Sequence, residues 1–300
     1  MKPHFKVLLQ RPKVFVSFLI RSFQTDSSNC PNCGGIPHST ICDRRFGIMK
    51  LMRCTSCLLQ FRTPTETSES SIAFYQSDYT ETTVTELPEE NELKALINER
   101  SESKSHLSPY IDLFCRLLEK KSARLVDFGC SWGYNTRRFE RAGLEAVGVE
   151  VSRPRAEFGR TKLGVDIRSS ADELEPSFDV FFSLHVFEHV PSVYSAFADA
   201  RRLLSNGGIA VIITPNGSEA FRKKRPGRWH ELWGRKHPNF LDEVFWSKLL
   251  APYPHAIMSR NEDGTVRAPL ATVSMEILEK QCLFDVSGEE LIVIVRLPRE

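Results

Sequence analysis

No apolar run in the 300 residues approaches the roughly 20 positions of a membrane-spanning helix, which excludes a helical membrane protein. No internal repeat is evident, so solenoids and propellers are set aside. The first 21 residues contain no Asp or Glu, and residues 63–92 contain no Lys or Arg. These gaps split a net charge of +2 unevenly. From Met1 to Arg62, ten Lys or Arg face only Asp26 and Asp43, an excess of +8 that leaves −6 for the remainder. Eight acids and many Thr and Ser between Thr63 and Glu92 mark a solvated linker, although Phe74, Tyr75 and Tyr79 give it a means of docking. The basic start lacks the marks of a secretory leader. Pro12 interrupts the approach to the short apolar stretch Val14–Ile20, and no small-residue cleavage site follows. An extension packed on the rest of the chain is expected; peripheral membrane contact through residues 1–21 and a mitochondrial presequence are the alternatives. A cytoplasmic enzyme is the expected setting.

What is present is an ordinary globular composition, 41% hydrophobic and 26% charged, in a chain long enough for one sizeable domain and an appendage. Four of the eight cysteines stand as Cys30-x-x-Cys33 and Cys54-x-x-Cys57. Each C-x-x-C turn offers two thiolates, and two such turns complete a tetrahedral zinc site. Gly34 and Gly35 behind the first turn supply the left-handed backbone that aims amides at sulfur. Cys42 and His38 lie between the pairs, so a set of three cysteines and one histidine is also open. A ribbon this small holds no core without its metal, which makes Zn2+ structural.

Residues 125–133 read Leu-Val-Asp-Phe-Gly-Cys-Ser-Trp-Gly, and a second apolar run ends at Glu150. A short strand, a glycine-bearing turn, a helix and a second strand ending in an acid form the front of a nucleotide-binding βαβ unit. Ser131 stands where a dinucleotide turn needs its second glycine, and the final G-x-x-G spacing is missing. Asp127 at the strand tip would repel a pyrophosphate and suits a cation. S-adenosylmethionine (SAM), with a sulfonium, an amino group and no phosphate, is such a ligand, and Glu150 can accept from both its ribose hydroxyls.

Two further segments carry a family likeness. Residues 177–190, through Asp179, His185, Glu188 and His189, resemble the fourth-strand motif of class I SAM-dependent methyltransferases. Residues 203–216, through Gly207, Gly208 and Pro215, resemble the turn into their fifth strand. The resemblance covers roughly residues 92–250 and implies an α/β fold, a doubly wound Rossmann-like seven-stranded sheet with a small N-terminal zinc ribbon. The division expected is an extension over 1–28, the ribbon over 29–62, a linker over 63–91 and the SAM domain over 92–300. Strands are expected at 124–129, near 145–150, at 165–168, 178–184, 209–214 and 291–295. Helices are expected at 92–104, 109–120 (Ser108 as cap), 134–143, 193–204 and 241–250.

The likeness implies cofactor contacts from Asp127, Gly129, Cys130, Gly133, Glu150 and His185. Ser170 and Ala171 take the place where relatives put an acid and Ala against adenine, with Asp172 as a shifted alternative. Because a sulfonium is already electrophilic, the protein mainly aligns the acceptor, with His185 or His237 as candidate bases. His185, Glu188 and His189 resemble a Mg2+-binding trio of some RNA ribose methyltransferases, yet the same Glu-His-Val run is common where no metal binds. The segment 215–239, rich in Trp, Arg and His, is expected to lid the acceptor. The four-cysteine knuckle, Phe-Tyr-x-x-x-Tyr segment and SAM domain together resemble sugar C-methyltransferase relatives. A small-molecule or glycan-precursor acceptor is therefore expected, with an RNA methyltransferase or a non-catalytic SAM-binding protein as alternatives. Overall charge and the lack of an interleaved aromatic–basic platform count against nucleic acid.

Overall fold

The structure, a computed structural model, describes residues 29–35, 37–47, 49–65, 87–98, 107–234, 237–261 and 270–298. The basic start, the Phe74–Tyr79 segment and the second half of the helix expected over 92–104 lie outside the described residues. No described helix is long and apolar enough to cross a membrane.

The two Cys knuckles are built alike. Gly34 N donates to Cys30 O at 2.9 Å, and Leu58 N to Cys54 O at 3.0 Å. Gly34 takes φ +70°, and Leu58 holds the same left-handed region at +66° without a glycine's freedom. After the first knuckle runs β1 (Pro37–Arg45); β2 (Met49–Cys54) and β3 (Gln60–Thr63) flank the second. They pair antiparallel, and the sheet is closed by a fourth strand from far along the chain, β9 (Asn239–Phe240), which pairs with β3. The ribbon expected over 29–62 is thus completed by a strand from the second half of the chain.

The main sheet has the order β11-β10-β12-β8-β7-β4-β5-β6. Its parallel strands are β4 (Arg124–Phe128), β5 (Glu145–Val149), β6 (Ile167–Arg168), β7 (Phe178–Leu184) and β8 (Leu204–Pro215). The chain winds outward in both directions from between β4 and β7, so the crevice that doubly wound sheets use for ligands opens there. β12 (Glu290–Leu297) inserts antiparallel between β8 and β10 (His255–Arg260). Its run Leu291–Val295 is fully buried, as continuous apolar character requires of a central strand. With the two-residue edge strand β11 (Cys282–Leu283), the described residues place eight strands in this sheet where seven were expected.

Helices cover both faces. In α2 (Ser108–Leu118) the buried residues Tyr110, Leu113, Phe114 and Leu117 follow the spacing of one helical stripe. They pack with Phe139 and Phe182; the Phe139–Phe182 rings meet edge-on, centroids 5.1 Å apart. The helix starts one residue earlier than expected, so the cap position falls on Leu107 rather than Ser108. On the other face α5 (Val193–Leu203) buries Val193, Ala196, Phe197, Ala200 and Leu203. Each large apolar side chain among these contributes about 1.5–3 kcal/mol on burial. The remaining helices are α1 (Glu90–Asn98), α3 (Tyr134–Arg141), α4 (Arg153–Phe158), α6 (Glu219–Lys224), α7 (Pro226–Leu232), α8 (Glu243–Leu250) and α9 (Met275–Glu279).

The segment 215–239 is not an open loop. It forms α6 and α7, whose Phe221 and Trp229, with the adjoining Trp233, are buried against Met49 and Leu51 of β2. Three of its arginines are engaged as well, Arg225 with Glu289 at 3.6 Å. Arg222 stacks on Trp229 at 4.5 Å, and Arg228 pairs with Glu289. These aromatics pack α6 and α7 on the ribbon, which corrects the lid reading for Trp229 and Trp233.

Candidate functional site

The crevice lies at the carboxyl ends of β4, β5 and β7. β4 carries Asp127 to its tip, where the residue is 3% exposed and Oδ2 accepts from Thr136 Oγ1 at 2.8 Å. Gly129 then takes φ +76°; a Cβ there would run into the Val186 side chain. Gly133 (φ +77°) caps α3 with the same handedness, and an added Cβ would stand 2.7 Å from Val165 Cγ2. Only glycine lets the turn pass this close to its neighbours without strain.

At the end of β5 Glu150 bridges two loops. Oε1 accepts from Ser152 N at 2.7 Å and Oε2 from Ser131 N at 2.9 Å. Arg155, buried on α4, donates to Ser131 Oγ at 2.8 Å and fixes the same turn. Burial lifts Asp127 to about 7, with Thr136 opposing and the nearby Glu150 reinforcing the rise. Burial also raises Glu150, against the pull of the Ser152 and Ser131 amides and Arg155. Two buried acids side by side form a place where a cation is welcome and a phosphate is not. The residues present therefore fit SAM.

The other cofactor candidates fall on the rim of the same crevice. Cys130 turns its side chain away: its Sγ lies 2.5 Å from where a Gly148 Cβ would be, among the apolar residues under α4. Burial and the charges of Asp127 and Glu150 raise this thiol well above its ordinary value, so only the Cys130 backbone is on offer. Ser170 and Ala171 follow β6, the strand beside β5, where an adenine reached from Glu150 would lie. Ser170 Oγ accepts from Asp172 N at 3.2 Å, while the Asp172 side chain is 88% exposed.

His185 leaves β7 in the left-handed region, φ +56°. Its ring is held between two carboxylates, Nδ1 at 3.2 Å from Glu188 Oε1 and Nε2 at 2.5 Å from Glu290 Oε1. Arg260 in turn bonds Glu290 and Tyr110, the phenol at 3.0 Å. The His185 side chain is densely packed yet keeps 41% of its surface open at the rim. Burial disfavours its charge, but the bonds to Glu188 and Glu290 outweigh it and raise His185 to about 10. For Glu290 the balance also favours the pair: burial opposes ionisation, and the His185 bond and Arg260 bring it down to about 2. As a base, His185 would first have to release one of its two acids. Sequence reasoning missed Thr136, Arg155, Glu290, Arg260 and Tyr110. Only Thr136, nine positions after Asp127 on the next helix, lay close enough for local spacing to suggest it.

His237 sits elsewhere, beside His189, with ring centroids 4.8 Å apart. Its Nδ1 lies 2.5 Å from Leu232 O, and burial presses it down to about 4 despite Glu188.

The four sulfurs of Cys30, Cys33, Cys54 and Cys57 all lie within 4.8 Å of one another. Cys30–Cys57 is 3.6 Å and Cys33–Cys54 3.5 Å, near the roughly 3.8 Å edge of a tetrahedron with Zn–S of about 2.3 Å. Asn32 Nδ2 lies 3.6 Å from Cys57 Sγ, the outer-shell bond such sites use. Cys42 stands apart, packed beside the Trp229 cluster, and the His38 side chain lies outside those described. The donor set and its spacing fit Zn2+ held by four thiolates.

A family model described as a methyltransferase domain matches residues 103–253. The ubiquinone biosynthesis O-methyltransferase of Paramagnetospirillum magneticum is 31% identical over 155 residues, 48% of this chain and 59% of its own. That of Pelagibacter ubique is 28% identical over 104 residues, 32% of this chain and 43% of its own. The chain thus spans about half the length of the curated relatives it matches. Among solved structures, the geranyl diphosphate C-methyltransferase of Streptomyces coelicolor A3(2) gives a TM-score of 0.45 at 16% identity, covering 79% of this chain and 99% of that one.

Proposed function

The chain belongs to the class I SAM-dependent methyltransferases, and from that premise we propose that it methylates a small hydroxylated acceptor or glycan precursor rather than RNA. The observation that carries the choice is how the ribbon is used. Its β2 and β3 lean inward: Arg53 pairs with Asp242 at 2.5 Å, Gln60 donates to the same carboxylate at 2.8 Å, and β3 pairs with β9. On β1, Asp43 accepts from Trp233 Nε1 at 3.0 Å and bonds His230 at 2.6 Å. A ribbon whose Asp43, Arg53 and Gln60 side chains are engaged by its own protein acts as a brace, and these groups are not offered to a nucleic acid. The O-methyltransferase names of the relatives, which match only in part, make oxygen the acceptor atom of choice.

In this reading SAM supplies the electrophilic methyl group, and the chain supplies placement. Glu150 holds the ribose hydroxyls, Ser170 and Ala171 flank the adenine, and Asp127 faces the cationic methionine end. Gly129 and Gly133 let backbone approach it. His185 stands where the acceptor enters, held as an imidazolium by Glu188 and Glu290, so it orients the acceptor, and the acceptor's proton leaves to solvent at the open rim. Such alignment is the main protein contribution when the methyl donor is already activated. The test incubates the purified protein with methyl-labelled SAM and fractionated bacterial extract. Label as a methyl ether in the low-mass fraction supports the reading. Label in nuclease-sensitive material, or SAM binding with transfer to nothing, overturns it in favour of RNA methylation or a non-catalytic role.

A further inference from the structure

A second cluster of metal-type donors lies where the β7 loop meets the segment before β9. We propose that Glu188, His189 and His237 form a site for a divalent transition-metal ion, separate from the tetrathiolate zinc site and with coordination positions left open. One ligand atom from each of the three lies within 4.8 Å of the others. Glu188 Oε1 and His189 Nε2 are 3.8 Å apart. Donors around one ion at about 2.0–2.2 Å stand roughly 3–3.6 Å from each other, so small side-chain rotations bring the set onto a common centre.

Two details point to a ligand rather than a packing accident. Glu188 is 1% exposed; His185 bonds one of its carboxylate oxygens, and the other, Oε2, has no hydrogen-bond partner among the described residues. The large majority of buried side-chain oxygens have a hydrogen-bond partner, and an ion would supply this one with a ligand contact. His237 Nδ1 lies 2.5 Å from Leu232 O, and a carbonyl only accepts. The proton is therefore on Nδ1, which leaves the Nε2 lone pair free to bind; a carbonyl behind the ring is the usual support of a metal-binding imidazole.

The frame is rigid. Asn239 Nδ2 donates to Phe187 O at 3.3 Å and to Val190 O at 2.7 Å, which clamps the Glu188–His189 turn to the segment that carries His237. Both ring nitrogens of His185 are taken by carboxylates, so it is no part of this set; His237, from much further along the chain, stands beside Glu188 and His189 instead of the His185 of the trio read from sequence. Two imidazoles and one carboxylate suit Zn2+ or Fe2+ and disfavour Mg2+ and Ca2+, which want oxygen donors. His189 also lines a small cleft with Pro31, Thr65, Pro191 and Asn239. Open positions on that side would take an oxygen ligand, water or a carboxylate.

The full chain is equilibrated with micromolar Zn2+, desalted and analysed for metal, then the titration is repeated with Co2+. The proposal expects two ions per chain. The second should vanish in His237→Gln and in His189→Ala, while the thiolate-to-cobalt absorption of the four-cysteine site stays intact. The second Co2+ should add only weak visible bands with no thiolate charge transfer. Should His237→Gln not fold, the half-buried His189 gives the answer alone. One ion per chain in the unaltered protein, or a second ion that survives both variants, overturns the site.

Discussion

Replacing Glu150 by Gln tests the cofactor geometry with the least change of shape. Both carboxylate oxygens already accept a backbone N–H, from Ser152 at 2.7 Å and Ser131 at 2.9 Å. The remaining lone pairs are what a ribose diol would use. An amide keeps one acceptor and turns the other position into a donor, which then faces an N–H. In the free protein one buried amide loses its partner, about 1–3 kcal/mol, read as a fall of a few degrees in melting temperature. For SAM, one charge-assisted bond to a ribose hydroxyl is lost, worth about 1.5–3 kcal/mol. That is about a 10- to 150-fold loss of affinity. Calorimetric titration of folded Glu150→Gln with SAM and S-adenosylhomocysteine reads it directly. The cofactor assignment fails if both bind within about twofold of the unaltered protein, a difference of only about 0.4 kcal/mol.

Three further outcomes follow from the same geometry. Asp127, raised to about 7 by burial, binds a proton in the folded chain that the unfolded chain has lost by about pH 4, so its contribution to stability falls as pH rises between those values. A cationic ligand lowers that value; SAM binding should release protons just below neutral pH and tighten as pH rises, which binding enthalpies that do not vary with buffer ionisation heat would contradict. Trp233→Ala, at a 1% exposed site bonded to Asp43, should cost about 3–5 kcal/mol of stability and leave SAM affinity of the folded fraction unchanged; an unaltered unfolding midpoint would place that ring on the surface. Cys57→Ser should abolish the tetrathiolate site and, through the β3–β9 pairing, expose the Phe240 amide to hydrogen exchange while the Asn239 amide, which donates to Glu188 O at 3.2 Å, and β4 and β5 stay protected; protection retained at Phe240 would uncouple ribbon from sheet.

The strands around Asp127 and Glu150 were legible because a short apolar run closed by a glycine turn or an acid leaves little choice of structure. β9 was not, since two residues carry no periodic signal and its partner in β3 lies far back in the chain. The pairing of His185 with Glu290 spans 105 positions and left no trace in spacing. Trp229 and Trp233 were misread because an aromatic, basic segment has the same composition whether it lids a substrate or fills an interface. Burial decides between those, and sequence does not show it. For Cys130, position in the turn was clear, but Gly148 on the neighbouring strand leaves the space that draws its side chain under the sheet.

The most direct test is the structure of the protein with S-adenosylhomocysteine bound. The ribose hydroxyls are expected on Glu150, the adenine beside Ser170 and Ala171, and the amino-acid end at Asp127 and Gly129, with the sulfur facing the His185 side of the crevice. Density for the ligand anywhere else, or ribose hydroxyls that do not touch Glu150, would contradict this placement.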